Sequence, residues 1–469
     1  MIMRHELLII VAAVLIVIVE LMNSDEHKER VIPFAVIVFL AVTVAGFLPI
    51  DTGILFGGMY RTDDITIIMK NALNIGVFII FLQSAAWLKK HKDTFRSYGA
   101  FYFIMLASLT GMQYLISSGD FLMFFIGTEL ATIPIAALVA MEKAREQSGE
   151  AGVKLILSAA LSSGITLFGI SLLYGSSGSI FFSDVARSFA ADDLQILALL
   201  FVFAGIAFKI SIVPFHLWTA DVYEGAPVSV TSYLSVISKG AAVFILVFLL
   251  YKVFYTVPGI WMNVLYAVSV LTMTVGNLFA IRQQNLKRFL AFSSIAQAGF
   301  VLLGIICGTQ LGFASVVYFL LIYVFSQLGA FGVVAAISNA SGKENIDDYN
   351  GLYRTNPKMS LVMMLSLFSL AGIPPVAGFF AKFFLFIAAA REGYYILLLI
   401  AVANVTVSLY YYLLVVKAMF INESDDPIRK IENDFYTKAG LAICAAGILA
   451  IGFFGTLFDY INSISYGVK

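Results

Sequence analysis

The chain is poor in the residues that build metal and redox centres. It has 2 cysteines and 4 histidines in 469 residues. Cys307 and Cys444 lie in separate hydrophobic runs, without the paired spacing of a zinc or iron–sulfur site, so no redox centre, cofactor or metal is expected on this chain itself. Charge is scarce as well. Asp, Glu, Lys and Arg make up 12% of the residues, 29 basic against 29 acidic; the zero balance says little about partners, and no nucleic acid is expected among them. Walker loop, Rossmann fingerprint, HExxH helix and Ser/His/Asp pattern are all missing, which removes the usual signatures of nucleotide binding and hydrolysis. No polar stretch is long enough for a separate soluble domain.

What is present is apolar sequence, 61% of the chain, and this composition belongs to an all-α polytopic membrane protein. At about 20 residues per span, fourteen helices are expected, near 7–22, 32–50, 70–88, 98–117, 120–141, 152–174, 194–215, 228–251, 261–281, 289–308, 312–337, 359–390, 394–420 and 437–460. The first run is followed by no small-residue cleavage motif and is read as a retained helix. The breaks at 51–69, 175–193 and 421–436 read as loops. Loops after odd-numbered helices hold 19 Lys and Arg, and the opposite side with both termini holds 7. By the positive-inside rule the termini then face the periplasm, while KKHKDTFR at 89–96 and LKR at 286–288 mark the cytoplasmic side.

Ionisable residues inside apolar runs are costly unless they face a cavity or a partner, so each is a functional candidate. Lys209 follows a long hydrophobic run, Pro214 interrupts the helix five residues later, and Lys239 sits midway along the next segment. Glu129, nine residues past Asp120, lies about 14 Å into its helix, half of a hydrocarbon core about 30 Å thick. In FSLAGIPPVAGFFAKFF, Gly372, Pro374, Pro375 and Gly378 precede Lys382, within a run long enough for two half-helices. A pair of Gly/Pro-interrupted segments in corresponding halves points to inverted repeats with a site near the midplane. The repeats, of five helices each, are expected at about 98–251 and 261–420 within a single transmembrane domain.

Bland alternatives stand beside these readings. A membrane lysine can snorkel to the interface, and Glu129 can serve as a hydrogen-bond partner between helices. His216, after the break, suits either a proton relay or a bond to a freed carbonyl. Glu20, near a helix end, reads as solvated or interfacial, and Tyr410, Tyr411 and Tyr412 read as packing and interfacial anchors. Chemically, burial and opposite charge act against one another on a lysine, so its protonation can be switched by geometry. A carboxylate moving to and from Lys209 would gate a proton, with Lys239 the natural acceptor.

The stretch KISIVPFHLWTADVYEGAPVSVTSYLSVISK, with FIGTELATIP before it and NLKRFLAFSSIAQAGF and AGIPPVAGFFAKFF after it, resembles the subunit N family of proton-pumping NADH-quinone oxidoreductase, respiratory complex I. The match runs from about residue 70 to 420 and includes, more distantly, the L and M subunits and the Mrp-type antiporter subunits, which usually carry a PDAH-like stretch where ADVYEG stands here. The resemblance implies that Glu129 is the glutamate of the fifth helix and Lys209 the lysine of the broken seventh helix that it modulates. Lys239 then matches the connecting lysine of the eighth helix, Lys382 the exit-side lysine of the broken twelfth, and His216 the histidine of the PFHLW stretch. Ala220 departs from the pattern, where a proline is common, and no long lateral helix follows the last span. The implied activity is proton translocation in a bacterial cytoplasmic membrane, driven by quinone reduction elsewhere in the complex. NADH, FMN, iron–sulfur clusters and quinone would be bound by partner subunits, and neighbouring antiporter-like subunits would flank this one. The alternative is a standalone or Mrp-type sodium/proton antiporter.

Overall fold

The computed structural model describes residues 2–23, 25–91, 97–453 and 455–468. Within them the chain is almost wholly helical, and fourteen spans form in the expected order. They are Arg4–Met22, Val31–Ala45, Asp64–Lys90, Tyr98–Ile116, Phe121–Val139, Glu146–Ser177, then a seventh in two pieces, Asp193–Ile210 and Leu217–Gly225, and an eighth over Val228–Lys252. Pro258–Ile281, Leu286–Ile306 and Gln310–Ser341 follow, then a twelfth split into Pro357–Ala371 and Ala377–Arg391, and finally Tyr395–Phe420 and Phe435–Phe453. Among the described residues, 12 helices are long and apolar enough to cross a membrane. The remaining two spans are the 15-residue second and the interrupted twelfth. The chain is a multi-pass, all-α membrane protein.

Side-chain caps set several helix starts. Asp63, Asp120 and Asp192 accept the backbone N–H of Thr66, Met123 and Gln195 at 2.9, 2.6 and 2.8 Å, which satisfies donors left over in each first turn. The Asp63 cap starts the third span at Asp64, six residues earlier than hydropathy suggests, and so moves Lys70 from the first residue of the expected span to well inside the helix. The break at 51–69 is not plain loop: Gly53–Leu55 pairs antiparallel with Tyr60–Thr62, Ile54 opposite Arg61. Likewise 175–193 contains the short helix Phe182–Ser188. A last helix, Thr456–Ile464, follows the fourteenth span and stacks Phe458 on Phe384 at 3.6 Å.

The eighth and tenth spans are buried along nearly their whole length, as expected of helices apolar all round, and every candidate lysine is on them or on a span packed nearby. Of the basic stretch at 89–96, residues 92–96 lie outside the described residues; Lys89 and Lys90 end the third span. The LKR run is built into the fold rather than standing free as a loop signal. Lys287 is fully buried with Nζ 3.3 Å from Glu344, and Arg288 bridges Asp221 and Glu224, both at 2.7 Å. The ADVYEG stretch lies in the second piece of the seventh span, with Ala220 buried in it and Asp221 also held by Lys154 at 2.6 Å.

Candidate functional site

Three helices meet at the first acid and lysine. Glu129 is half-buried on the fifth span and accepts a hydrogen bond from Ser163 of the sixth. Lys209, also half-buried, is the penultimate residue of the first seventh-span piece, and its Nζ donates to the hydroxyl of Thr132. Thr132 is three residues after Glu129, on the same helix face, so the lysine sits one turn from the carboxylate without a direct ion pair within 4 Å among the described residues. Thr132 in turn donates to the Thr128 carbonyl at 2.7 Å. Pro134 follows in the same helix; lacking an N–H, it leaves the Leu130 carbonyl without its usual helical donor. The carboxylate is held by Ser163 and the ammonium by Thr132, one helix turn apart on the fifth span.

Lys239 is buried, and its Nζ donates to Ser294 of the tenth span at 2.7 Å. Immediately before it, Leu234–Ser238 forms a π-helical turn, a local widening common at functional positions. Serines at 229, 232, 235 and 238 lead into that turn, and Ser232 and Ser235 bond back to the carbonyls of Val228 and Ser232 at 2.9 and 3.1 Å. Such back-bonding bends helices.

Lys382 is buried in the second piece of the twelfth span, and its Nζ turns back to the end of the first piece, 2.8 Å from the Leu370 carbonyl and 3.1 Å from that of Ala371. A cation there meets the unpaired carbonyls and the negative end of the helix dipole. Gly372, at φ 86°, ends that piece in the left-handed conformation. At Gly378 a Cβ would stand 1.7 Å from the Ser369 carbonyl, so only glycine lets the two pieces approach this closely.

Both buried lysines have partners on or bonded to the tenth span. Gln297 Nε2 donates to the same Leu370 carbonyl at 3.1 Å and to the Tyr412 hydroxyl at 3.2 Å, and that hydroxyl lies 2.5 Å from Ser293 Oγ. Ser293 adjoins Ser294, the partner of Lys239. The structure therefore gathers Glu129 with Lys209 and brings polar groups of the tenth span to Lys239 and to Lys382; among the described residues no hydrogen bond runs from Lys209 to Lys239, or from Ser294 to Ser293. His216 stands at the start of Leu217–Gly225, half-buried, with Nδ1 buried and unpartnered.

Some expectations change. Tyr411 and Tyr412 are buried hydrogen-bonding groups rather than interfacial anchors, Tyr411 donating to Asn277 at 2.8 Å; only Tyr410 is exposed. Glu20 accepts from Ser97 Oγ at 2.7 Å and from the Gly99 N–H at 3.0 Å, which ties the first span to the start of the fourth. Thr132, Ser163, Ser293, Ser294, Gln297 and Tyr412 escape a search for charges because they carry none. The serine period before Lys239 was the available signal.

A family described as "NADH:quinone oxidoreductase/Mrp antiporter, TM" matches residues 118–408, more than half of the chain and all five candidate residues. A relative from Azobacteroides pseudotrichonymphae, NADH-quinone oxidoreductase subunit N, is 50% identical over 99% of this chain and 98% of its own length. The chain belongs to the subunit N family. Among solved structures, this subunit N family member aligns with a chain of respiratory complex I from Thermus thermophilus at 27% identity and TM-score 0.80, covering 99% of this chain and 100% of the other. A chain of the Mrp complex from Dietzia sp. superposes at TM-score 0.87 over 99% and 97% of the two chains, at 21% identity, and shares the fold.

Proposed function

We propose that this subunit N family member is a proton-translocating membrane subunit of NADH-quinone oxidoreductase, and that Glu129, Lys209, Lys239 and Lys382 carry the proton, with His216 at the break between the second and third. The observation that supports this most is the partnering of the lysines. Each ammonium rests on hydroxyls or carbonyls rather than on a bound carboxylate. A proton on such a lysine has no salt-bridge partner to lock it, so it can leave when the local field changes. Glu129, one turn from Thr132, supplies that field for Lys209.

In this reading a proton held at Lys209 passes across the His216 break to Lys239, then along Ser294, Ser293, Tyr412 and Gln297 towards Lys382 and the opposite surface. Repeats at about 98–251 and 261–420 place one broken span in each half. Both termini face the periplasm of a bacterial cytoplasmic membrane, and the loops after odd-numbered spans face the cytoplasm. Partner subunits bind NADH, FMN, iron–sulfur clusters and quinone, whose reduction drives the transfer. Neighbouring antiporter-like subunits complete the membrane arm.

The test is the proton-to-electron ratio of the assembled complex in proteoliposomes. Glu129→Gln, Lys209→Ala and Lys239→Ala should each slow proton transfer through this subunit by about 10²-fold, the scale of removing an acid–base group, while assembly persists. Full coupling in all three would sink the assignment. Sodium-dependent proton exchange by the chain alone would instead favour the antiporter alternative.

A further inference from the structure

A second polar cluster lies in the first four spans, before residues 118–408 matched by the family. Glu6 of the first span, Tyr60 of the hairpin and Lys70 of the third span are all fully buried. Lys70 Nζ is 2.5 Å from Glu6 Oε1 and 2.8 Å from the Tyr60 hydroxyl, which lies 3.0 Å from both carboxylate oxygens. One turn further along the third span, Asn74 accepts from Gln113 Nε2 of the fourth at 2.7 Å, and both residues are fully buried. Their other ends, Asn74 Nδ2 and Gln113 Oε1, are buried without a hydrogen-bond partner. Buried polar groups are nearly always satisfied, and one spare donor beside one spare acceptor is the setting that a bridging water needs.

The fourth span, which carries Gln113, packs on the fifth with its other face. Two residues before Gln113, Gly111 packs so tightly on the fifth span that a Cβ would stand 2.3 Å from the Ala131 N and 2.5 Å from the Leu130 carbonyl carbon. Leu130 follows Glu129. The column thus begins at the Gly53–Thr62 hairpin and ends at Gln113 of the fourth span, whose opposite face packs on the helix that carries the proposed gating acid.

We infer that Glu6, Tyr60, Lys70, Asn74 and Gln113 form a second proton-conducting column, which connects the hairpin side of the protein with the fifth span. Unlike the lysines of the main route, Lys70 is held by a carboxylate; a proton that reaches Glu6 through Tyr60 neutralises that carboxylate, after which Lys70 passes its own proton inward to water held by the Asn74–Gln113 amide pair and regains one from Glu6. No bond other than those to the proton changes. This inference rests on the translocation reading above.

The experiment uses the assembled complex in proteoliposomes and reads quinone reduction and proton-to-electron ratio together. Asn74→Leu with Gln113→Leu, which leaves the ion pair intact, should lower the ratio while quinone reduction is retained. Glu6→Gln with Lys70→Met removes both charges at once, so neither is left buried alone, and should lower it too. Tyr60→Phe, which removes a single hydroxyl, should do so to a smaller extent and covers the case in which the double variants fail to assemble. An unchanged ratio in the amide pair variant and in Tyr60→Phe, with Glu129→Gln still lowering it, would overturn the column and leave the main route standing. An unchanged ratio in Glu129→Gln would count against the translocation reading itself.

Discussion

The seventh and twelfth spans are both broken and both carry one lysine, yet the lysine lies on opposite sides of the break. Lys209 precedes it, at the end of the first piece, and reaches sideways to Thr132 on another helix. Lys382 follows it and reaches back to the carbonyls that the break itself exposes. The endings differ too. Ser211, a non-glycine residue, closes the seventh-span piece at φ 64°, where Gly372 closes the twelfth at φ 86°. Placement relative to the break thus decides what each lysine senses: Lys209 faces a neighbouring helix that carries an acid, whereas Lys382 caps its own span.

That contrast can be tested by stability. Lys382→Met should destabilise the chain most, by about 1–3 kcal/mol, because the Ala371 carbonyl loses its side-chain donor in a buried place. Lys209→Met should cost less than about 1 kcal/mol, since Thr132 keeps its bond to the Thr128 carbonyl. Thermal unfolding of the purified complex ranks the two, and equal losses would break the contrast. A smaller effect is expected from Thr132→Val, which keeps the shape but removes the hydroxyl. It should weaken the hold on Lys209 by about 1 kcal/mol, read as a partial fall in proton-to-electron ratio; a fall as deep as that of Glu129→Gln would make the hydroxyl, not the acid, the controlling group.

The smallest effect sharpens the scale. Lys343 and Asp426 pair at 2.6 Å on the exposed loops, and the ammonium holds the Asp426 carboxyl below its ordinary range. A depressed carboxylate contributes above the usual carboxylate range and loses that contribution as pH falls through its lowered value. Lys343→Ala should therefore leave melting at pH 7 unchanged, because exposed pairs are screened. A clear drop would show that a solvated ion pair outweighs the buried carbonyl contact of Lys382.

Much of this molecule was legible from residue order. Fourteen spans, two broken helices and five candidate residues follow from apolar runs, prolines and isolated charges, since lipid leaves a chain few ways to satisfy its backbone. Lys70 was read as the edge of a span because hydropathy places a boundary where apolar residues begin, whereas the helix starts at its Asp63 cap. The Glu6–Lys70 pair went unread for the same reason. Near a predicted span end, a charge looks solvated until its partner, 64 residues away, is seen beside it.

Sequence by itself determined the class, the order of the spans and the identity of the costly charges, because those depend on composition and on spacing along one helix. Only the tertiary structure decided which neutral groups hold the ammoniums and that a carboxylate and a lysine from distant spans lie one turn apart. Hydrogen bonds between helices depend on which faces meet, and in a bundle of uniformly apolar helices that is settled by packing.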